Sequence, residues 1–486
     1  MARFDTVVKN GLVVIPYVAQ RHVDIGIRDG RVAALEDQIS TGDADELIDA
    51  SGKVVLPGGV DSHFHLGIYR DITEDTESET TSSTVGGVTT VISYFRTGQH
   101  YLNKSGPYRE IFPEVLDRVA GHARTDYGFH LAPMTAEHIR EIPWLVSEMG
   151  VSSFKYYMFY KGFNLASDSR DAQAYTMAED YDLGHLFEIM EKVAEVDAAA
   201  PGRISVSLHC EQAELLRVFI ERAKADPRVS GLAEYDAARP PLTERLSIEE
   251  AGVLADATKV RLNLLHLSSK LALDTAVDVA RRYPSLDVVR ETTLHHLALA
   301  CEDLEGKGIG GKVNPPIRSR ADNEALWEGL RHGLITTVAS DHACCMEESK
   351  GEDLWPALPG FGGTALLYPV LISEGVHKRG LSLGRVAEVA AAAPAQAFNL
   401  YPRKGTIAVG SDADLAIIDL DLEQVVTAEL CRSAQDHTPF EGIAVKGWPT
   451  ETLLRGRPVL KDGDLVDEAP GQYVHRSGEL VSIGGA

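Results

Sequence analysis

The chain lacks several features that mark whole classes of protein. Cysteine is scarce: Cys210, Cys301, Cys344, Cys345 and Cys431 form no CxxC pair. An odd number at irregular spacing builds no disulfide framework, so a reducing, cytoplasmic setting is expected. No apolar run reaches the roughly 18 residues of a membrane span. The start, Met1-Ala2-Arg3-Phe4-Asp5, lacks the basic flank and apolar stretch of a secretion signal. Cations are in deficit, with 47 Lys and Arg against 72 Asp and Glu and a net charge of −25. A field of that sign repels phosphate backbones and anionic headgroups, which disfavours nucleic acid and membrane surfaces as partners. There is no internal repeat, no low-complexity tract, and no GxGxxG turn after an early strand. The last absence weighs against an open, doubly wound nucleotide-binding sheet.

What is present is an ordinary globular composition, 44% hydrophobic and 24% charged over 486 residues, which supports a large core. Such a length fits about three domains or one large barrel with an appendage. Residues 6–56 carry short β-branched runs broken by Gly, Asp and Asn, and the same texture returns in Gly405–Gly410, Asp414–Asp419, Glu441–Val445 and Glu451–Leu454. One β-sandwich domain built from both termini, 1–56 plus 405–470, is therefore expected. Between them lie eight strand-like runs, at 54–65, 89–95, 127–132, 152–159, 204–210, 261–267, 287–293 and 334–341. Amphipathic stretches such as Leu183–Val196, Leu271–Arg282 and Asp322–His332 fill most gaps. Eight strands alternating with helices predict an α/β chain with a (β/α)8 TIM barrel over 57–404. The tail 471–486 reads as loosely ordered.

His63-Phe64-His65 ends the first of these strands. Residues two apart in an extended segment point the same way, so both imidazoles would face one spot in the barrel mouth. Taken alone, the pattern also arises among surface or core histidines. Lys155, His209, His266 and Asp341 likewise interrupt apolar runs where the fourth, fifth, sixth and eighth strands should end. Catalytic groups of barrels gather on that face, whereas a filled core would place Val, Ile or Leu there. Four imidazoles and a carboxylate suit Zn2+, with Mn2+, Co2+ and Fe2+ also compatible. A lysine buried beside metal ions is costly unless neutral. A neutral amine adds carbon dioxide to give an anionic carbamate able to bridge two cations. The alternative is a lysine stem snorkelling out of a strand.

These residues stand in motifs that resemble the amidohydrolase superfamily, and within it the hydantoinase and dihydropyrimidinase branch of cyclic amide hydrolases. The motifs are Pro57-Gly58-Gly59-Val60-Asp61-Ser62-His63-Phe64-His65, Gly86-Gly87-Val88-Thr89-Thr90, Ser153-Phe154-Lys155 with Tyr160-Lys161-Gly162, Leu208-His209-Cys210-Glu211, His266-Leu267-Ser268 and Ser340-Asp341-His342. Tyr401–Ile407, Gly410–Asp414 and Thr438–Gly442 are similar to the family beyond the barrel. The resemblance implies two divalent metals bridged by Lys155, N6-carboxylated by carbon dioxide, and by hydroxide. His63, His65 and Asp341 would hold one ion, and His209 and His266 the other. Asp341 would carry the proton to the leaving nitrogen, and Tyr160 would donate to the oxyanion. A small cyclic amide is the implied substrate, and a homotetramer or dimer the implied assembly.

The substrate loops match no one subfamily. Glu291–Leu297 and Val313–Arg318 look more like dihydroorotase, yet the arginine that follows the second metal histidine by two residues there is Gly67 here. Arg70 or Arg96 would have to replace it, each being equally readable as a surface or helix-pairing arginine. Asn314 and the backbone at Gly363, within Pro359–Thr364, are expected to meet the substrate ring, although Asn314 before Pro315-Pro316 also reads as a turn residue. Tyr94-Phe95-Arg96 and Tyr156–Phe159 offer walls for an apolar pocket, or core packing. Hydrolysis of a hydantoin, dihydropyrimidine or related imide is the leading expectation, with an allantoinase- or dihydroorotase-like ureide hydrolase as the alternative. A non-enzymatic, dihydropyrimidinase-related assembly protein would show replacements at the ligand positions, and all six carry ligand-type residues.

Overall fold

The computed structural model describes residues 2–160, 181–199, 203–466 and 468–476. Lys161-Gly162 of the Tyr160 motif and residues 477–486 of the tail lie outside them. Eight parallel strands, Gly59–Phe64, Val88–Phe95, Asp126–Leu131, Ser153–Tyr157, Ser205–His209, Arg261–Leu264, Val288–Thr293 and Thr337–Ala339, pair in sequence order. The ring closes where Phe64 bridges His342 and the His65 N–H donates to the His342 carbonyl at 2.9 Å. This is the expected TIM barrel. Helices fill the crossovers, among them Leu183–Ala199, Lys270–Arg282 and Arg320–Arg331. The helix Ile72–Val85 starts at Asp71, whose carboxylate accepts the Thr73 N–H at 2.9 Å, a cap worth about 1 kcal/mol.

Both termini build the sheets beside the barrel. A four-stranded sheet orders Arg31–Glu36, Asp24–Arg28, Phe4–Lys9 and Ala44–Asp49. A seven-stranded sheet sets Leu415–Val425 antiparallel to Val54–Pro57, with Leu415 opposite Pro57 and Ile417 opposite Val55. Strand alternation sorts these residues. Val55, Leu415 and Ile417 join the core between the two sheets, while Val54, Leu56, Ala416 and Ile418 join the large core of the barrel. A strand covered on both faces reads as a continuous apolar run, which is why the sequence shows no polar alternation there.

Two details differ from expectation. The run 54–65 is two strands, Val54–Pro57 in the sandwich and Gly59–Phe64 in the barrel. The chain crosses between them at Gly58, where a Cβ would stand 2.2 Å from the Thr89 hydroxyl oxygen, so only glycine fits. The tail is packed through Arg476: the Tyr127 N–H donates to the Gln472 carbonyl, Val474 returns the bond, and Arg476 Nη1 donates to Ser153 Oγ at 3.1 Å inside the barrel floor. Among the described residues no helix is long and apolar enough to cross a membrane.

Candidate functional site

Strand register brings the polar interruptions together at the C-terminal mouth. Lys155 lies opposite Ser207 and Tyr157 opposite His209, so the fourth and fifth strands deliver the amine and an imidazole to adjacent positions. His266 and Asp341 follow the sixth and eighth strands and have φ of +36° and +51°. Non-glycine residues there cost of order 1–3 kcal/mol each, and such conformations cluster at functional sites. His63, His65, Lys155, His209, His266 and Asp341 all line one cavity, together with Tyr160 and Asn314.

The outer nitrogen of three imidazoles is tied down. His63 Nδ1 donates to Glu291 Oε1 at 2.7 Å, His65 Nδ1 lies 3.0 Å from the Tyr101 hydroxyl, and His209 Nε2 donates to Glu211 Oε2 at 2.6 Å. Their inner nitrogens are thereby turned to the cavity, the arrangement that orients metal-binding histidines. His63 Nε2 and His65 Nε2 stand 3.0 and 3.2 Å from Asp341 Oδ1. One ligand atom from each of His63, His65 and Asp341 lies within 4.8 Å of the others. On the other side His209 Nδ1 faces His266 Nε2 at 2.9 Å, and His266 Nδ1 is buried with no hydrogen-bond partner.

The charge states favour ligation. Burial pushes His65 and His209 down to about 4 and His266 well below its ordinary value, leaving all three neutral with lone pairs at neutral pH. Burial opposes the charge of Asp341, but His63 and His65 outweigh it and hold the carboxyl well below the usual range. Burial also brings Lys155 down to about 7. Its Nζ rests 4.2 Å from the centre of the Tyr94 ring and 4.8 Å from that of Tyr157. Neutral nitrogens, an anionic oxygen and an orphaned buried nitrogen in one cavity fit divalent cations.

Tyr160 is buried on the cavity wall beside Tyr157, their ring centres 4.7 Å apart. Asn314 Oδ1 accepts the Tyr235 hydroxyl at 2.5 Å, so a residue of the helix Gly231–Ala238 fixes its amide. The Gly363 N–H donates to His342 Nδ1 at 3.0 Å, and its carbonyl accepts the Leu366 N–H. Arg70 is engaged by Asp75 and Ser78 at 3.1 and 3.0 Å and is not part of the cavity lining. Arg96 lines the cavity. The sequence alone assigns no role to Glu211, Glu291 or Tyr101. Glu211 carried one signal, an acid two residues past a strand-end histidine, which strand alternation returns to the same side.

A barrel whose mouth gathers four imidazoles, a carboxylate and a buried lysine defines a metal-dependent hydrolase architecture. Comparison with known proteins agrees. The amidohydrolase family profile matches residues 178–459, more than half of the chain. D-hydantoinase of Geobacillus stearothermophilus is 32% identical over 97% of this chain and 96% of its own. Allantoinase of Rubrobacter xylanophilus is 31% identical, covering 98% of both. The crystal structure of L-hydantoinase (dihydropyrimidinase) from Arthrobacter aurescens superposes with a TM-score of 0.86 at 31% identity, covering 97% of this chain and 99% of that one. The chain belongs to the amidohydrolase family.

Proposed function

We propose that the protein is a cyclic amidohydrolase that opens a hydantoin, dihydropyrimidine or related imide ring to the N-carbamoyl or amide-bearing acid. The observation that carries this reading is the convergence of the inner nitrogens of His63 and His65 on Asp341 Oδ1, opposite the facing pair His209 and His266. His63, His65 and Asp341 would hold one divalent ion and His209 and His266 a second, with Zn2+ the best match and Mn2+, Co2+ or Fe2+ compatible. Lys155, as a carbamate formed when its neutral amine bonds to the carbon of carbon dioxide and releases one proton, would be a ligand common to both. When bound, such ions lower the pKa of water towards about 7 and polarise a carbonyl.

The protein groups then have defined tasks. Asp341 takes a proton from the attacking water and hands it to the ring nitrogen as the carbon–nitrogen bond breaks. Water thus supplies the new carboxylate oxygen and the nitrogen gains hydrogen. Tyr160 donates to the oxygen on which charge develops, a contact worth about 3 kcal/mol when preorganised. Asn314, held by Tyr235, meets the ring's amide edge. A cytoplasmic homotetramer or dimer completes the proposal; the family resemblance supports the assembly, and the net charge of −25 is compatible with it.

The test is elemental analysis of metal per chain in protein grown with bicarbonate and zinc or manganese, followed by rates on hydantoin, dihydrouracil, allantoin, dihydroorotate and phthalimide. About two equivalents with ring opening support the reading. One equivalent or none in active, folded protein would require a single-ion mechanism without His209, His266 and Lys155. The allantoinase-like alternative, favoured by the full-length likeness to an allantoinase, is read from the same panel as preference for allantoin. Lys155→Ala should fold, lose activity and lose metal; full metal occupancy in that variant would remove the carbamate.

A further inference from the structure

We propose that Lys312 and Lys350 are positioning residues for the substrate: a reciprocal clasp that locks the loops carrying Asn314 and Gly360 into one preformed wall of the cavity. This rests on the cyclic amidohydrolase reading and adds how its ring-facing wall is held. The two lysines lie on the connections after the seventh and eighth barrel strands, Val288–Thr293 and Thr337–Ala339, and are only 2% and 3% exposed. An ammonium is costly to bury, and a connection without a ladder leaves carbonyls in need of donors. Here the two needs meet. Lys312 Nζ donates to the carbonyls of Leu354 at 2.8 Å, Trp355 at 3.1 Å and Ala357 at 2.6 Å. Lys350 Nζ donates to the carbonyls of Gly360 at 2.6 Å and, across the gap, of Lys312 at 3.3 Å. Each connection therefore holds the other through a charged donor.

The clasp acts on the cavity wall itself. Val313, Asn314, Pro359 and Gly360 line the cavity that holds Lys155 and Asp341, whereas neither lysine of the clasp does, so both act through the groups they hold. The Gly360 N–H donates to the same Lys312 carbonyl at 2.8 Å, and one oxygen thus gathers a peptide donor and an ammonium. Lys312 Nζ also stands 4.8 Å from the centre of the Tyr235 ring, whose hydroxyl fixes Asn314 Oδ1. Lys312 therefore sets Asn314 twice, through the main chain two residues away and through that phenol. From the other side the Pro359 carbonyl accepts the Tyr69 hydroxyl at 2.7 Å. A binding loop that must order when its ligand arrives loses affinity to that entropy, and a loop already held in the bound arrangement does not.

The experiment uses metal-loaded enzyme with the ring of the panel that it opens fastest, and the variants Lys350→Met, Lys350→Arg and Lys312→Met. Lys350→Met should raise KM by on the order of 10-fold, keep kcat within about threefold and hold as much metal as the wild type. Lys312→Met should raise KM likewise. Lys350→Arg, whose guanidinium still donates to carbonyls, should recover most of the loss. Hydrogen exchange gives a reading without turnover: in the substrate-free wild type the amides of 310–314 and 357–363 should be protected, and in Lys350→Met they should exchange faster. Unchanged KM in both Met variants overturns the assignment, as does a defect confined to kcat or to metal content; ring opening by the wild type then leaves the cyclic amidohydrolase reading standing. Rapid exchange of those amides in the wild type overturns the clasp even where no Met variant folds. A two-metal enzyme that opens no ring of the panel overturns the functional reading, and the assignment to substrate with it.

Discussion

His342 is held at both ring nitrogens: Nε2 lies 2.6 Å from a Glu79 carboxylate oxygen, and Nδ1 accepts the N–H groups of Gly363 at 3.0 Å and Thr364 at 3.2 Å. Two donors at Nδ1 place the proton on Nε2, which donates to Glu79. The residue before His342 is Asp341, and the His342 carbonyl accepts the His65 N–H. One buried pair thus fixes the backbone of two proposed metal ligands. Glu79 also accepts Ser433 Oγ and the Ala434 N–H, tying the segment after the sandwich strand Leu415–Val425 to the barrel.

That pair predicts acid sensitivity. Burial opposes the charge on Glu79, but the bonds from His342, Ser433 and Ala434 outweigh it and keep the carboxyl below its ordinary value of 4.5. A carboxyl depressed in the folded state stabilises above its unfolded pKa, and that contribution is lost as pH falls from about 4.5 through the lower folded value. Glu79→Gln should cost roughly 2 kcal/mol at neutral pH, the worth of a charged hydrogen bond, and flatten the acid limb. Urea midpoints from neutral pH down to about pH 3 check this; parallel limbs in both proteins would exclude the role.

Glu211 is 0% exposed and is held by Arg239, whose Nε donates at 3.0 Å, while it accepts His209 Nε2–H. It orients the imidazole and raises its basicity. Glu211→Gln should weaken metal binding at His209 and His266 by about 10–100-fold and leave the ion on His63, His65 and Asp341 in place. Chelator competition followed by elemental analysis reads this as the loss of one equivalent before the other. Simultaneous loss of both would mean that the two halves of the site do not bind independently.

Tyr160→Phe removes a hydroxyl while keeping the ring against Tyr157. If the hydroxyl meets the developing oxyanion, kcat should fall by on the order of 100-fold with KM nearly unchanged. A change in KM alone would make Tyr160 a wall of the pocket.

The proposed ligand residues were legible because each is a His, Lys or Asp within two residues of the C-terminal end of a barrel strand. Helices such as Lys270–Arg282 were legible from their apolar stripe, and both terminal sheets from their turn residues. The remainder depends on contacts between residues far apart in the chain. Glu291 meets His63 across 228 positions, and Gly363 gives its N–H to His342 only after the barrel has closed. The break at Gly58 is set by the approach of Thr89, and the order of the tail by Arg476 reaching Ser153, neither of which has a local signature.

Lys404 supplies a last prediction at the opposite end of the barrel from the chemistry. Its Nζ is fully buried 2.6 Å from Asp126 Oδ2, 2.6 Å from Asp414 Oδ2 and 3.2 Å from Asp412 Oδ2, joining the first turn of the third barrel strand to the start of Leu415–Val425. Burial disfavours the ammonium, but Asp414, Asp126 and Asp412 outweigh it and hold its pKa above the ordinary 10.5. Its contribution is therefore complete below about pH 10.5 and lost only as pH rises through the higher folded value. Lys404→Ala strands three carboxylates, with Arg455 left to pair with Asp126 and Arg403 with Asp412. The expected cost is about 3–5 kcal/mol at neutral pH. The stranded carboxyls would then bind protons more tightly folded than unfolded, so the variant, unlike the wild type, should gain stability as pH falls from 7 towards about 5. Denaturant midpoints across that range measure both the cost and its slope; a variant that loses stability in parallel with the wild type would show that water, rather than Lys404, compensates these carboxylates.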